Sequence, residues 1–441
     1  MTSTAIDSRL QGIPREVIDR DNARLMDDHL ADYAALATRL ARSGIDIEAI
    51  VDKLMALEVG LPSWGMMSGG TRFARFPLRG EPTNIFEKIE DCSVVHQLAG
   101  LTPRISLHLP WDRTNDYGAV RQFGEAHGIG FDTVNSNTFQ DQPDQVRSYK
   151  FGSLSHTQAA TRQQAIAHNL ECIEIGKVLG SKALTVWIGD GSNFPGQSDF
   201  TEALERYLDS MRVIYRALPA DWRLLIEHKM FEPALYSTVV QDWGTSILCA
   251  NALGDKAQCL VDLGHHAPNV NVEMIVARLA QFGKLGGFHF NDSKHGDDDL
   301  DSGSINPFQL FLIFNELIAA EARAKSQGAP FSPSYMMDQS HNLTDPIESL
   351  LNSARAIAAS YVRALIVDRE ALKAYQADND VVMAHNCLRM AFETDVRPIL
   401  ATARLRKGGA IDSIAAYRAS AYRATKAETR AYDSRLAGGI V

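Results

Sequence analysis

The sequence has little of what a secreted, membrane-spanning or nucleic-acid-binding protein needs. Its five cysteines, Cys92, Cys172, Cys249, Cys259 and Cys387, are scattered and show no CxxC spacing. That argues against a disulfide framework and for reduced thiols in a cytoplasmic protein. No apolar stretch is long enough to span a membrane. The opening MTSTAIDSRLQGIPREVIDRDN lacks the apolar core of a secretory signal. Positive charge is also scarce. The formal net charge is −10, which disfavours a phosphate backbone as partner and leaves a neutral small molecule open. The glycines at 189 and 191 lie in a polar loop, and no dinucleotide (GxGxxG) or P-loop pattern accompanies them.

What remains is a chain of 441 residues, 45% of them hydrophobic, long enough for one large domain with appendages or for two to three domains. Residues 1–56 read as helical, with DNARLMDDHLADYAALATRLARSG stopping at Gly44 and IDIEAIVDKLMALE beginning again. From 57 to 345, short strand-like runs alternate with helical stretches. The runs are EVGLPSW, RISLHLPW, IGFDTVNSN, KALTVWIG, RLLIEHK, QCLVDLG, GGFHFND and SYMMDQS. Eight strands alternating with helices predict an α/β fold with a parallel sheet closed into a (β/α)₈ TIM barrel, whose reactive groups lie at strand C-termini. A doubly wound open sheet fits less well, because the polar groups end consecutive strands instead of gathering at one crevice. Residues 346–441 read as a helical extension that packs on the barrel or on another subunit.

The chemistry concentrates in the last four runs. Glu227, Asp262, His289 and Asp338 each end a different predicted strand. Adjacent strands lie about 4.8 Å apart, so these side chains can converge on one ion. Carboxylates and imidazoles in this number suit a divalent metal such as manganese, cobalt or magnesium. Left without one, they would repel one another and suffer desolvation. The bland alternative makes each an isolated, hydrogen-bonded strand end. His265, three residues beyond Asp262, joins Asp297 and Asp299 of the KHGDDDLD loop as ligands for a second ion. Asp298 between those two should point away. Two ions can hold two substrate oxygens and polarise a carbonyl.

Other residues frame this site. His108 ends the second run as a proton donor or substrate contact. Lys229 shares a strand face with Glu227 and can stabilise charge on a substrate oxygen, or simply pair with a ligand carboxylate. Trp64, Trp111 and Trp187 follow strand ends, where flat aromatic walls suit the apolar faces of sugars. The segment WGMMSGGTRFARFP, with Phe73 and Phe76, reads as a mobile lid or as an arm reaching another subunit.

The stretches PSWGMMSGGTRFARFP, SLHLPWD, NSNTFQD, YKFGSLSHTQAATR, ALTVWIGDGSNFPGQS, EHKMFEPALYSTVVQDWGT, CLVDLGHHAPN, GFHFNDSKHGDDDLD and DQSHNLTDPIES closely resemble the L-rhamnose isomerases of the Pseudomonas stutzeri type, over nearly the whole chain. The resemblance implies a reversible aldose–ketose isomerase acting on L-rhamnose and D-allose, with two divalent metal ions per subunit and a homotetramer. It implies that Glu227, Asp262, His289 and Asp338 hold a substrate-anchoring metal, and that His265, Asp297 and Asp299 hold a catalytic one. By the same resemblance, His108 touches the sugar's ring oxygen, Lys229, Trp187 and Ser340 line the pocket, and Phe73 closes a neighbouring subunit's pocket. The chain departs from the pattern at Met66 and Met67, which bears on substrate preference.

A hydrogen must move between C1 and C2 in such a reaction. With every obvious carboxylate and imidazole assigned to metal, no free base remains for an enediol route. A direct hydride shift is the expectation. The competing readings are a metal-dependent phosphoester hydrolase on the same barrel, which would need basic phosphate-binding groups, and a non-catalytic sugar-binding protein, which would not need a second ion.

Overall fold

The computed structural model describes residues 12–69, 76–143 and 145–432. Phe73 lies outside them. Two helices open the chain, α1 (Arg15–Ala41) and α2 (Ile47–Ala56). The alternating region then runs β1 (Gly60–Pro62), α3 (Ile85–Ala99), β2 (Arg104–Leu109), α4 (Tyr117–Ala126), β3 (Gly130–Asn137), α5 (Ala159–Leu179) and β4 (Ala183–Trp187). It continues with β5 (Gly191–Ser192), α6 (Phe200–Ala217), β6 (Arg223–Glu227), β7 (Ser237–Thr238), α7 (Trp243–Leu253) and β8 (Ala257–Asp262). It ends with α8 (Val272–Gln281), β9 (Leu285–Phe290), α9 (Pro307–Ser326) and β10 (Ser334–Met337).

The strands close into a parallel barrel in the order β1-β10-β9-β8-β6-β4-β3-β2, the (β/α)₈ architecture expected from the alternation. All eight expected strands form, each shorter than its apolar run. β1 stops at Pro62, and a 3₁₀ turn over Trp64–Met66 follows at once. β5 and β7, an antiparallel ribbon in the loops above the barrel, carry no apolar alternation by which the sequence would announce them.

Local chemistry explains where the helices begin. Asp116, Asp199, Asp242 and Asp345 accept backbone N–H groups at the first turns of α4, α6, α7 and α10 (Pro346–Leu365), satisfying donors that a helix start leaves bare. Part of the acid excess is thus capping. Helix α6 buries Ala203, Tyr207, Met211 and Ile214 along one stripe, the helical spacing that faces a core.

Side chains alternate across each strand, and this sorts the barrel into two environments. Ala183, Leu225 and Leu260 form a small apolar cluster apart from the main core. Leu225 and Leu260 lie two residues before Glu227 and Asp262, on the same strand face. The apolar plug therefore sits directly below the carboxylates. Gly286 leaves room for it, since a Cβ there would lie 2.5 Å from Leu225 Cδ2. The opposite faces, with Ile226, Val261, Phe288 and Phe290, join the main core under the helices.

After α10 come α11 (Arg369–Ala377), α12 (Val381–Phe392), α13 (Arg397–Arg406), α14 (Ser413–Ala419) and α15 (Tyr422–Thr429). Helix α13 packs against α1 and α2, and α14 against α1, α3 and α10. Among the described residues, no single helix is long and apolar enough to cross a membrane. A buried polar network anchors the tail. Asp91 of α3, wholly buried, accepts hydrogen bonds from Arg430 (2.7 Å) and the Tyr422 hydroxyl (2.8 Å) and pairs with Arg423 at 3.4 Å. Arg423 also bonds Asp345 at the start of α10.

Removing one partner from a buried ionic cluster strands the others. Asp91→Asn should therefore cost about 3–5 kcal/mol of unfolding free energy and expose amides of α15 to hydrogen exchange. Urea titration with exchange mass spectrometry checks both. An unchanged midpoint would mean that the tail adds nothing to the fold.

Candidate active site

Register brings the strand ends together. In the parallel ladder Asp262 pairs with His289 and Trp187 with Glu227, so each pair projects to the same side. Asp338 follows β10, and its N–H extends the ladder to the Phe290 carbonyl at 2.9 Å. The result is one cluster in which Glu227, Asp262, His289 and Asp338 each bring a ligand-type atom within 4.8 Å of the others. His289 Nδ1 is the centre, 3.0 Å from Glu227 Oε1, 3.1 Å from Asp338 Oδ2 and 3.6 Å from Asp262 Oδ2.

A second cluster shares Asp262 with the first and adds His265 and Asp297. His265 is delivered by a 3₁₀ turn over Leu263–His265 that Asp262 itself caps. Its Nδ1–H donates to the His228 carbonyl at 2.9 Å, which turns Nε2 toward Asp297 Oδ1 at 3.4 Å. Imidazoles fixed in this way through one nitrogen present the other to an ion. Of the residues expected here, Asp299 does not enter the close cluster. Its backbone is left-handed (φ 49°), and its Oδ2 accepts from Ser340 Oγ at 3.1 Å. Asp298 turns back on its own loop and accepts the N–H groups of Lys294 and His295.

Charge in these clusters is out of balance. Burial alone would lower the pKa of both imidazoles. Instead, surrounding carboxylates raise His265 to about 9, chiefly through Asp262 and Asp297, and raise His289 well above the usual value, chiefly through Glu227. Burial followed by the charge of Asp297 pushes the Asp299 carboxyl far above the usual range. Asp262 Oδ2, Asp297 Oδ1 and His289 Nε2 are buried without hydrogen-bond partners, a costly arrangement for buried polar groups. This donor set fits divalent cations, and either cluster could hold one.

Lys229 donates to Asp297 Oδ2 at 2.5 Å and lies 5.0 Å from the centre of the Trp187 ring. Burial would lower its pKa, but Asp297 raises it, so it stays charged. His108 is stacked on Trp111 at 3.8 Å between ring centres and meets Trp64 and Phe139 edge-on. Phe139 also touches Trp187, with ring centres 4.2 Å apart. An aromatic wall thus runs beside the two clusters. Trp64 has a second task that a strand-end tryptophan does not advertise: its Nε1–H donates to Asp338 Oδ1 at 2.7 Å.

Sequence reasoning also missed Asp112 and Lys88. They form a buried ion pair at 2.6 Å, and Asp112 accepts from the His108 backbone N–H and from Ser63 Oγ. Their partners lie 24 residues apart in sequence, so no local pattern signals the pairing. Asp190 is similar. It gathers the backbone and hydroxyl groups of Ser153 and Ser155, fixing the loop after Phe139.

Burial lowers the pKa of His108 to about 3. Because the folded value lies below the unfolded one, the stability it contributes is present above about pH 6.5 and is lost as pH falls toward 3. His108→Gln should therefore make unfolding less acid-sensitive, by about 2 kcal/mol at pH 5 relative to pH 7. Its ring signals should not titrate between pH 5 and 8. A His108 midpoint near 6.5 in an NMR titration would contradict the buried, neutral ring.

No family model matches the chain. It is 64% identical over 429 residues to a probable sugar isomerase of Rhizobium meliloti, covering 97% of this chain and 99% of that protein. It is 61% identical over 429 residues to a probable sugar isomerase of Mesorhizobium japonicum, with the same coverage. Among solved structures, an L-ribulose 3-epimerase superposes with a TM-score of 0.52 at 14% identity, covering 74% of this chain and 98% of that one. That likeness speaks for the barrel alone. At 64% and 61% identity over almost its whole length, the chain belongs to the family of these probable sugar isomerases.

Proposed function

We propose that the protein is a cation-dependent aldose–ketose isomerase that interconverts L-rhamnose with L-rhamnulose and D-allose with D-psicose. The observation that carries the reading is the pair of clusters sharing Asp262, set against an aromatic wall of Trp111, Phe139 and Trp187. Relatives named probable sugar isomerases support the substrate class, and the long motif stretches support the particular sugars.

In this reading Glu227, Asp262, His289 and Asp338 hold one divalent cation, with Asp262, His265 and Asp297 holding a second and Asp299 nearby to join them. Manganese is the first choice, ahead of cobalt and magnesium. Two divalent cations held there would supply Lewis acidity toward the carbonyl and adjacent hydroxyl of an open-chain sugar. The protein's own groups do the rest. Neutral His108 lies against Trp111 with an unpaired Nδ1 and serves the ring oxygen during opening. Lys229, held by Asp297, donates to a substrate oxygen as charge develops there. Trp111 and Trp187 cover the apolar face of the sugar, and Ser340 stands at the rim. A phosphoester hydrolase is disfavoured, because the wall beside the clusters is aromatic. Five free cysteines, four of them buried, support a cytoplasmic setting. The resemblance further supports a homotetramer in which Phe73 covers a neighbouring pocket. Light scattering that found a fully active monomer would remove that part.

Cation dependence has a signature beyond activity. His265 carries an extra proton near neutral pH, and an ion at Nε2 must displace it. Mn²⁺ uptake should therefore release protons below about pH 9, and affinity should rise with pH over that range. Titration of the chelator-stripped protein in a weakly buffered solution measures this directly. Chelation should abolish conversion of L-rhamnose to ketose, and Asp338→Asn should weaken Mn²⁺ binding by about tenfold or more. Full activity in protein shown by elemental analysis to be metal-free would sink the proposal.

The hydrogen transfer is read as a hydride shift from C2 to C1. The carboxylates and imidazoles of the clusters are committed to cations, and His108, with a pKa of about 3, is a poor proton acceptor. In heavy water the product should keep protium at C1 by NMR. Deuterium appearing there with each turnover would instead identify a free base.

A further inference from the structure

Asp262 is the one residue common to both clusters, so whatever sets its carboxylate sets both. Its Oδ1 accepts two hydrogen bonds, from the Gly264 backbone N–H at 2.8 Å and from Asn291 Nδ2 at 2.9 Å. Its Oδ2 has no hydrogen-bond partner and faces His289 Nδ1 at 3.6 Å. A single donor on Oδ1 would leave the carboxylate free to swing about that bond, whereas two donors from different segments hold it. The Gly264 donor comes from the very turn that delivers His265. The Asn291 donor comes from just beyond β9, two residues after His289 and on the same strand face. Asn291 thus ties the positions of His289, Asp262 and His265 together.

Chemistry agrees with the orientation. An ionised carboxylate only accepts, so the NH₂ end of the amide must face it. A neutral amide also leaves the full negative charge of Asp262 available, which a lysine at 291 would cancel. Asn291 is 1% exposed and Asp262 fully buried, so water does not substitute freely for this donor. The backbone at Gly264 permits the arrangement. A Cβ there would meet Ser293 Oγ at 2.8 Å, Asp297 Oδ1 at 3.1 Å and Asn291 Oδ1 at 3.4 Å.

We propose that Asn291 is the positioning residue for both cation sites, holding Asp262 so that Oδ2 is presented to the two clusters at once. The inference rests on the cation-dependent reading above and assigns Asn291 no contact with substrate or ion. Support for a carboxylate from beyond the coordinating atoms changes metal affinity by about 10- to 100-fold.

The test is calorimetric Mn²⁺ titration of the chelator-stripped full chain as wild type, Asn291→Ala and Asn291→Asp, with thermal melts of the stripped proteins as a check on folding. Asn291→Asp keeps the size of the side chain and removes the amide donor. Both variants should weaken every Mn²⁺ that the wild type holds by about 10- to 100-fold, and both should alter the visible spectrum of the Co²⁺-loaded protein. Wild-type affinity in Asn291→Ala would show that the amide donor is not needed, and would overturn the proposal while leaving the cation reading intact. Weakening of one ion alone would overturn the shared role. A wild-type chain that takes up no Mn²⁺ would overturn the cation reading, and this inference with it.

Discussion

Like-charge repulsion among carboxylates at one end of a closed barrel is the constraint on which the rest of this structure turns. Glu227, Asp262 and Asp338 crowd a single imidazole nitrogen, with Asp297 beside them. Inside a protein such groups interact far more strongly than in water, so the arrangement cannot be neutral to folding. The raised pKa values of His265 and His289 are the visible response: each imidazole takes up a proton to offset the charge around it. On the proposed reading, divalent cations would offset the same repulsion, and the cost of crowding the carboxylates would return as affinity for them.

The rest of the barrel makes that tolerance feasible. Strand alternation puts Leu225 under Glu227 and Leu260 under Asp262, so the apolar plug is built by the same strands that carry the charge. A shift of register by one residue would move both sets to the wrong face. The aromatic groups do comparable work at the rim, with His108, Trp111, Phe139 and Trp187 in contact one after another. Farther away, the Asp91–Arg430–Arg423 network clamps the C-terminal helices against α3 and α10. Helix α15 is thus held by groups as buried as those of the site.

The barrel was legible in the sequence because its signal is local. Eight apolar runs of strand length, separated by helical stretches, need no knowledge of distant contacts. Glu227, Asp262, His289 and Asp338 were legible for a related reason, since each ends such a run and parallel strand ends converge by geometry. Residues whose roles depend on a partner far along the chain were not. Lys88 with Asp112, Trp64 with Asp338, and Asp91 with Arg430 are ordinary residues until the fold joins them. Asp299 illustrates the limit of reading a loop. Two aspartates two apart in DDDLD read as a matched pair, but a left-handed backbone at Asp299 sends its carboxylate to Ser340 while Asp297 goes to Lys229 and His265. The β5–β7 ribbon has two residues in each strand, too few to form a pattern.

The placement of cations and neutral groups around the clusters bears on which chemistry the site can support. General base catalysis at C2 would need a group that is free, accessible and basic near neutral pH. Among the described residues the imidazole stacked in the aromatic wall is His108, and burial has removed most of its basicity. Lys229 is positive and already hydrogen-bonded to Asp297, so it can stabilise negative charge on oxygen but cannot abstract a proton from carbon. Lys229 and His108 are therefore poor proton acceptors, and on the proposed reading bound cations would withdraw the carboxylates and imidazoles of the clusters from that role. In the proposed hydride shift, hydrogen passes between neighbouring carbons with its electrons and needs no protein acceptor.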